Sequence, residues 1–216
     1  MTNEDLQRYV ADELYWDPKL DSAAIAVSAD DGAVTLRGTV GSFREKREAK
    51  ADAERVYGVK TVKNDVDVRI LTKDRREDAD IQGAVLQALM LDNMIPANIE
   101  ARVVDGWVTL TGTANWKFEY DEAESVASNI QGVVGVDNLI QIVPPGPSPE
   151  DLQHSIRKAM ERSAKLDAKN VKVESSNGTV KLSGTVSSWV DHDAAVDAAW
   201  SAPGVTDVTD HILVAY

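Results

Sequence analysis

Three histidines and a scatter of carboxylates are the residues of this chain best suited to chemistry. His154, His192 and His211 all lie in its last third. Asp191-His192-Asp193 puts three ligand atoms in a row. No second histidine stands three or four residues away, however, to form a metal-binding pair on one helix face. Paired carboxylates such as Asp30-Asp31 and Glu122/Glu124 can divide acid and base roles in a hydrolase, but here they recur at no common position. The chain has no cysteine, so thiolate chemistry, disulfides and cysteine metal sites are excluded. It contains no G-x-S-x-G turn and no G-x-x-x-x-G-K-[ST] loop. These residues assign no catalytic group, no metal ligand set and no cofactor, and the chain reads as a non-enzyme. A cation held by backbone carbonyls leaves little trace in sequence, so a monovalent or divalent ion stays open.

The remaining candidates are adhesive. Phe43, Trp116 with Phe118, and Trp189 stand where a second helix is expected to begin in each third of the chain. They can form a tip that enters lipid headgroups, where amphipathic rings are favoured, or a staple that packs the corner onto the core. Packing is the favoured reading, because the positions shift by one residue. Behind Phe43 come Arg44, Lys46, Arg47 and Lys50, with Arg55, Lys60 and Lys63 further on. Each cation near an anionic surface is worth about 1 kcal/mol. Glu45, Glu48, Asp52 and Glu54 interleave with them as on a solvated helix, again the favoured reading. The candidate lipid-contact residues are therefore Phe43, Arg44, Lys46, Arg47, Lys50, Trp116 and Trp189. The net charge is −13, distributed as −3, −7 and −3 over residues 1–72, 73–146 and 147–216. That balance disfavours nucleic acid, whose binding rests on neutralised phosphates. Screening over about 8 Å still permits a local basic patch.

A repeat sets the spacing of all these residues. Asp31-Gly32-Ala33-Val34-Thr35-Leu36-Arg37-Gly38-Thr39 returns at 105–113 and again at 177–185, offset by 74 and then 72 residues. Nine structural glycines follow those offsets: Gly32, Gly38 and Gly58; Gly106, Gly112 and Gly132; Gly178, Gly184 and Gly204. Each unit opens on an amphipathic helix with a stripe at i, i+4, i+8: Leu6/Val10/Leu14, Ile81/Val85/Leu89 and Leu152/Ile156/Met160. Asn3 and Ser148-Pro149 are expected starts. A strand (Ile25/Val27, Ile99/Ala101, Val171/Val173) leads into Asp-Gly or Asn-Gly, a strong hairpin signal. The next strand alternates, with Val34/Leu36, Val108/Leu110 and Val180/Leu182 inward. A helix with paired alanines (Ala49/Ala53, Ala123/Ala127, Ala195/Ala199) follows. Gly58, Gly132 and Gly204 are expected to end it in the left-handed region. A last strand carries Val66/Val68, Ile140/Ile142 and Ile212/Val214.

The expected fold class is α+β: three tandem αββαβ domains at 1–72, 78–144 and 148–216, each a three-stranded mixed sheet with two helices on one face. Residues 73–78 are charged and are expected to extend the next helix. Pro144-Pro145-Gly146-Pro147-Ser148-Pro149 reads as a semi-rigid spacer that holds the third domain apart.

The repeated unit resembles the BON (bacterial OsmY and nodulation) family. The family's hairpin pattern is matched three times, and its tail reads Gly58-Val59, Val62, Asn64, Val66, Val68 in the first unit. The second gives Gly132-Val133, Val136, Asn138, Ile140, Ile142, and the third Gly204-Val205, Val208, Asp210, Ile212, Val214, with aspartate in the asparagine's place. The resemblance implies non-enzymatic modules that bind phospholipid or envelope surfaces and occur in osmotic-stress proteins. It also supplies a cytosolic precedent associated with potassium sensing.

The acidic start lacks a basic region and an apolar core, so a secretory signal is not expected, and no apolar run approaches a bilayer-spanning length. Cytoplasmic is the expected location, with periplasmic as the alternative if the true start lies upstream. The expected function is a non-catalytic stress-related binding protein that meets phospholipid membrane surfaces. The alternatives are a cytosolic potassium-responsive sensor and a protein-interaction scaffold or chaperone-like module.

Overall fold

The structure, a computed structural model, describes residues 1–71, 75–145, 152–162 and 170–215. The first repeat runs α1 (Asn3–Trp16), a 3-10 turn at Ser22–Ala24, β1 (Ile25–Asp30), β2 (Ala33–Val40), α2 (Phe43–Arg55) and β3 (Thr61–Val68). In the second, α3 (Asp78–Leu91), β4 (Glu100–Val104) and β5 (Trp107–Thr111) are followed by a short β6 (Thr113–Ala114). Then come α4 (Lys117–Ser128), β7 (Gly135–Asn138) and β8 (Gln141–Ile142). The third contains α5 (Leu152–Arg162), β9 (Val171–Ser176), β10 (Thr179–Val186), α6 (Trp189–Trp200) and β11 (Asp207–Val214). The fold class is the expected α+β, built three times. Residues 1–113 with 118–141 form one compact unit and residues 114–117 with 142–216 a second; each repeat is described by itself.

Each repeat has a three-stranded sheet with the second hairpin strand in the middle. That strand pairs antiparallel with the first (Val27↔Leu36 in β1/β2) and parallel with the last (Leu36↔Asn64 in β2/β3). The parallel pairing requires a crossover, which the second helix supplies. In the second repeat the middle and last strands are interrupted, and β6–β8 form a separate two-stranded piece. Leu139 N still donates to Leu110 O and Gln141 N to Gly112 O, so the ladder continues through the break.

All three leading-helix stripes are buried. In the first repeat Leu6, Val10 and Leu14 join Val34, Leu36 and Val40 of the sheet and Ala49 and Ala53 of α2 in one core. The alanines matter because a small side chain lets α2 lie close to the strands. Each hairpin turn takes positive φ at both central residues, for example Asp31 at 43° and Gly32 at 87°, the twist-matched form that favours Asp/Asn-Gly. Gly38 has a different reason: at φ 138° a Cβ there would overlap the Ala24 carbonyl oxygen.

Several local expectations are corrected. α1 begins at Asn3 as expected, but its cap is Thr2, in a reciprocal capping box with Asp5. The Asn3 side chain instead reaches the hairpin, its Oδ1 accepting from Asp31 N at 2.9 Å. Asp78 does the same in the second repeat, accepting from Asp105 N and Gly106 N at 2.8 and 2.9 Å. The start of the leading helix thus pins the hairpin turn, and the turn's exposed N–H groups are satisfied. Glu77 is the N-cap of α3, so Arg75 and Arg76 do not extend that helix. Gly58, Gly132 and Gly204 do have positive φ, but α2, α4 and α6 end at Arg55, Ser128 and Trp200. The glycines therefore serve the turn into the last strand rather than the helix end. Their carbonyl oxygens face the hairpin glycines: a Cβ on Gly106 would sit 2.8 Å from Gly132 O, and one on Gly178 2.8 Å from Gly204 O. The expected helix start at Ser148-Pro149 and most of the proline spacer lie outside the described residues.

Candidate functional site

The sequence-predicted contact residues gather at the start of the second helix. Ser42 caps α2, its hydroxyl accepting from Glu45 N at 3.2 Å, and Phe43 is the first helical residue. Ser188 and Trp189 repeat that arrangement in α6. In the second repeat Trp116 occupies the capping serine's place and Lys117 that of the aromatic, which explains the one-residue shift. Phe43, Trp116 and Trp189 are all half-buried. Trp189 packs on the third core, its ring edge-on to His192 with centroids 4.8 Å apart. Arg44, Arg47 and Lys50 are exposed and Lys46 is half-buried. Lys50 pairs with Glu54 at 3.5 Å, the i,i+4 contact of a solvated helix.

A hydrogen-bonded link ties each second helix to its last strand. Asn64 Nδ2 donates to Lys46 O at 2.6 Å while its Oδ1 accepts from Val66 N. Asn138 does the same with Tyr120 O and Ile140 N. Asp210 keeps the second bond, accepting from Ile212 N at 2.8 Å, but an ionised carboxylate has no donor for the first. His192, at the position of Lys46 and Tyr120, supplies one from its ring, 2.7 Å from Asp210 Oδ2. Its other ring nitrogen lies 3.0 Å from Asp193 Oδ1. Hydrogen bonding to Asp193, with the Asp210 charge, raises the imidazole's pKa against the lowering by burial. His192 with Asp193 and Asp210 thus forms a structural tie in which carboxylates occupy both ring nitrogens, while Asp191 accepts from Ser187 and Ser188 at the helix start.

One cluster escaped the sequence reading. Asp17 follows α1, while Glu48 and Asp52 share a face of α2, and one carboxylate oxygen from each lies within 4.8 Å of the others. Asp52 is 0% exposed. Arg55 approaches its Oδ1 at 2.6 Å, but neither oxygen has a partner in hydrogen-bond geometry. Burial is the main cause that pushes the Asp52 carboxyl up to about 6, with Asp17 and Glu48 adding to it and Arg55 opposing. Lys19 Nζ lies 3.4 Å from Glu48 Oε1. The overlooked signal was a misalignment between repeats: position 52 corresponds to Val126 and Ala198, position 48 to Glu122 and Ala194.

A second missed feature is apolar. Directly after the last buried stripe residue, α1 exposes Tyr15 and Trp16 (75% and 79%) and α3 exposes Met90 and Leu91 (84% and 78%). At the same place α5 carries Glu161 and Arg162. In the first repeat Trp16 lines an open groove with Met1, Tyr9 and Tyr57. A helical-wheel reading that asked which apolar residues fall off the stripe would have found these pairs.

Known proteins supply a context for this geometry. The BON domain pattern matches residues 2–70, 77–144 and 148–216. Osmotically-inducible protein Y of Escherichia coli (strain K12) is 32% identical over 124 residues, 55% of this chain and 62% of that protein's length. Two solved structures of CdsD, a structural protein of the type III secretion system of Chlamydia trachomatis, align over 98% and 100% of this chain and 92% and 100% of theirs. They do so at 14% and 16% identity with TM-scores of 0.27, too low to carry an argument. With its pattern matched over nearly the whole length in three consecutive copies, the chain belongs to the BON domain family.

Proposed function

We propose that this chain is a non-catalytic protein of osmotic or envelope stress whose tandem BON domains contact phospholipid surfaces. Family membership and the similarity to an osmotically-inducible protein support the stress role. The observation that carries the lipid role is the exposed aromatic surface of the first repeat, where Tyr15, Trp16 and Tyr57 are each more than two-thirds exposed. Amphipathic rings of this kind are favoured at the headgroup level. Arg44 and Arg47, which have no carboxylate within ion-pair distance among the described residues, add attraction to anionic lipid. Met90 and Leu91 give the second repeat a contact of its own. Linking two weak contacts raises the overall affinity without any new one. An envelope-facing location follows from this reading.

Flotation of the full chain with phosphatidylglycerol and with phosphatidylcholine vesicles, at low and physiological salt, tests it. Co-flotation with the anionic vesicles is expected, reduced severalfold by Tyr15→Ser with Trp16→Ser and less by Phe43→Ser with Trp116→Ser. Absence of co-flotation at either salt overturns it. A second reading, a cation-responsive protein, is favoured by one observation, the Asp17–Glu48–Asp52 cluster.

A further inference from the structure

We infer that Asp17, Glu48 and Asp52 of the first repeat form a binding site for a hard divalent cation such as calcium. The inference deepens the cation-responsive reading and is independent of the lipid one. The three carboxylate oxygens lie within 4.8 Å of one another. Oxygens that share one calcium ion at about 2.4 Å stand at most about 4.8 Å apart, so the three are close enough for side-chain adjustment to bring them onto one ion.

The buried side chain supplies the independent argument. Asp52 is wholly buried, with the Arg55 guanidinium 2.6 Å from its Oδ1 but outside hydrogen-bond geometry and with no partner for its Oδ2, which leaves a buried carboxylate oxygen unsatisfied at a cost. The fold does not require it. Val126 and Ala198 fill the equivalent place in two repeats with the same architecture, so an aspartate here points to a ligand rather than to packing.

The neighbours are arranged for exchange. Asp17 is held by its own turn, Oδ1 accepting from Lys19 N at 2.8 Å. Glu48 and Asp52 lie one helical turn apart on α2, where side chains face the same way. Lys19 and Arg55 place two cations against three carboxylates; both side chains are 53% exposed, and Arg55 also pairs with Glu13 at 3.2 Å, a partner it keeps if an ion takes Asp52. Asp17 and Glu48 are half-buried, which leaves room for water to complete the six to eight oxygens calcium takes.

Trp16 is the first repeat's sole tryptophan and precedes Asp17 in the chain, which provides a local reporter. Terbium chloride titrated into the full chain should give tryptophan-sensitised emission that saturates and is displaced by calcium chloride. Asp52→Val should weaken both ions at least tenfold while far-ultraviolet circular dichroism stays unchanged. Trp16→Phe should remove the emission but keep a calcium-induced rise in melting temperature. The site is overturned if millimolar calcium leaves the melting temperature unchanged, or if emission survives Asp52→Val and Glu48→Gln. A potassium-specific rise in melting temperature that persists in Asp52→Val would also overturn this site, while leaving the cation-responsive reading standing.

Discussion

The first and third repeats share a strand register residue for residue and differ in where they place charge. In the first, Ala33↔Thr61 through Val40↔Val68 pair across β2 and β3. In the third, Thr179↔Asp207 through Val186↔Val214 pair across β10 and β11 at a constant offset. Yet the first repeat buries Asp52 where the third has Ala198. It ends its leading helix in Tyr15-Trp16 where the third has Glu161-Arg162. It ties helix to strand with Asn64 where the third uses His192 and Asp210. Positions that the backbone constrains are copied, and positions that only a side chain's chemistry constrains have diverged. That divergence is where function is to be sought.

The copied positions should fail alike. A Cβ on Gly38 would overlap the Ala24 carbonyl oxygen, and one on Gly184 would overlap that of Asn170, both at strongly positive φ. Gly38→Ala and Gly184→Ala should each cost their own repeat roughly 3 kcal/mol. Hydrogen exchange of the strand amides in each repeat would measure it. Gly83 on α3 is the control: a Cβ there meets nothing within 4 Å, so Gly83→Ala should stabilise by about 0.5–1 kcal/mol. Markedly unequal losses at Gly38 and Gly184 would break the equivalence of the two frames.

The diverged position should respond in the opposite direction. Asp52 is shifted from 3.8 to about 6, so between those values the folded chain holds more protons than the unfolded one. Stability therefore falls as pH rises from about 4 to about 6, by up to roughly 3 kcal/mol, and stays reduced above that. In chelator at pH 7, Asp52→Val should raise first-repeat stability by about 2 kcal/mol and flatten this slope. The reciprocal change, Ala198→Asp, should destabilise the third repeat. Denaturant unfolding at pH 4.5 and pH 7 reads both. A first repeat no more stable with valine at pH 7 would mean that the carboxylate is already satisfied in the folded chain.

What was legible in the sequence follows the same division. Stripe residues such as Leu6/Val10/Leu14 and turn pairs such as Asp31-Gly32 encode the fold locally, through period and φ, and the architecture could be read from them. The purpose of Gly58 could not, because its carbonyl meets Gly32 across the sheet and no local rule reports that meeting. The carboxylate cluster was illegible for a related reason. Glu48 and Asp52 look like two members of a charged, solvated helix until α1 brings Asp17 beside them and closes water away from Asp52. Phe43, Trp116 and Trp189 were visible as a recurring aromatic, and their half-burial agrees with the favoured packing reading, though its degree depends on the strand behind the corner. Tyr15-Trp16 and Met90-Leu91 were in plain view, hidden only by attention to the stripe beside them.

The smallest expected effect tests how the third repeat rebuilt the helix-to-strand tie. His192 has its pKa raised, first by its hydrogen bond to Asp193 and then by the Asp210 charge, against a lowering by burial. Its ion pairing therefore adds stability that is fully present below the imidazole's ordinary value near 6.5 and is lost as pH rises through the raised one. His192→Gln should cost the third repeat about 1 kcal/mol at pH 6 and remove that slope. The first repeat, whose Asn64 link does not titrate, should be unchanged. The double change His192→Lys with Asp210→Asn installs the first repeat's pair at the equivalent positions, with the asparagine amide again able to donate to the backbone carbonyl at 192. It should recover most of the loss and titrate flat between pH 6 and 8. Asp210→Asn alone should reduce the slope without removing it, because the hydrogen bond to Asp193, the larger cause of the raised pKa, remains. If the double variant is no better than His192→Gln, the two ties are not equivalent, and the aspartate was kept in the third repeat for a reason other than holding helix to strand.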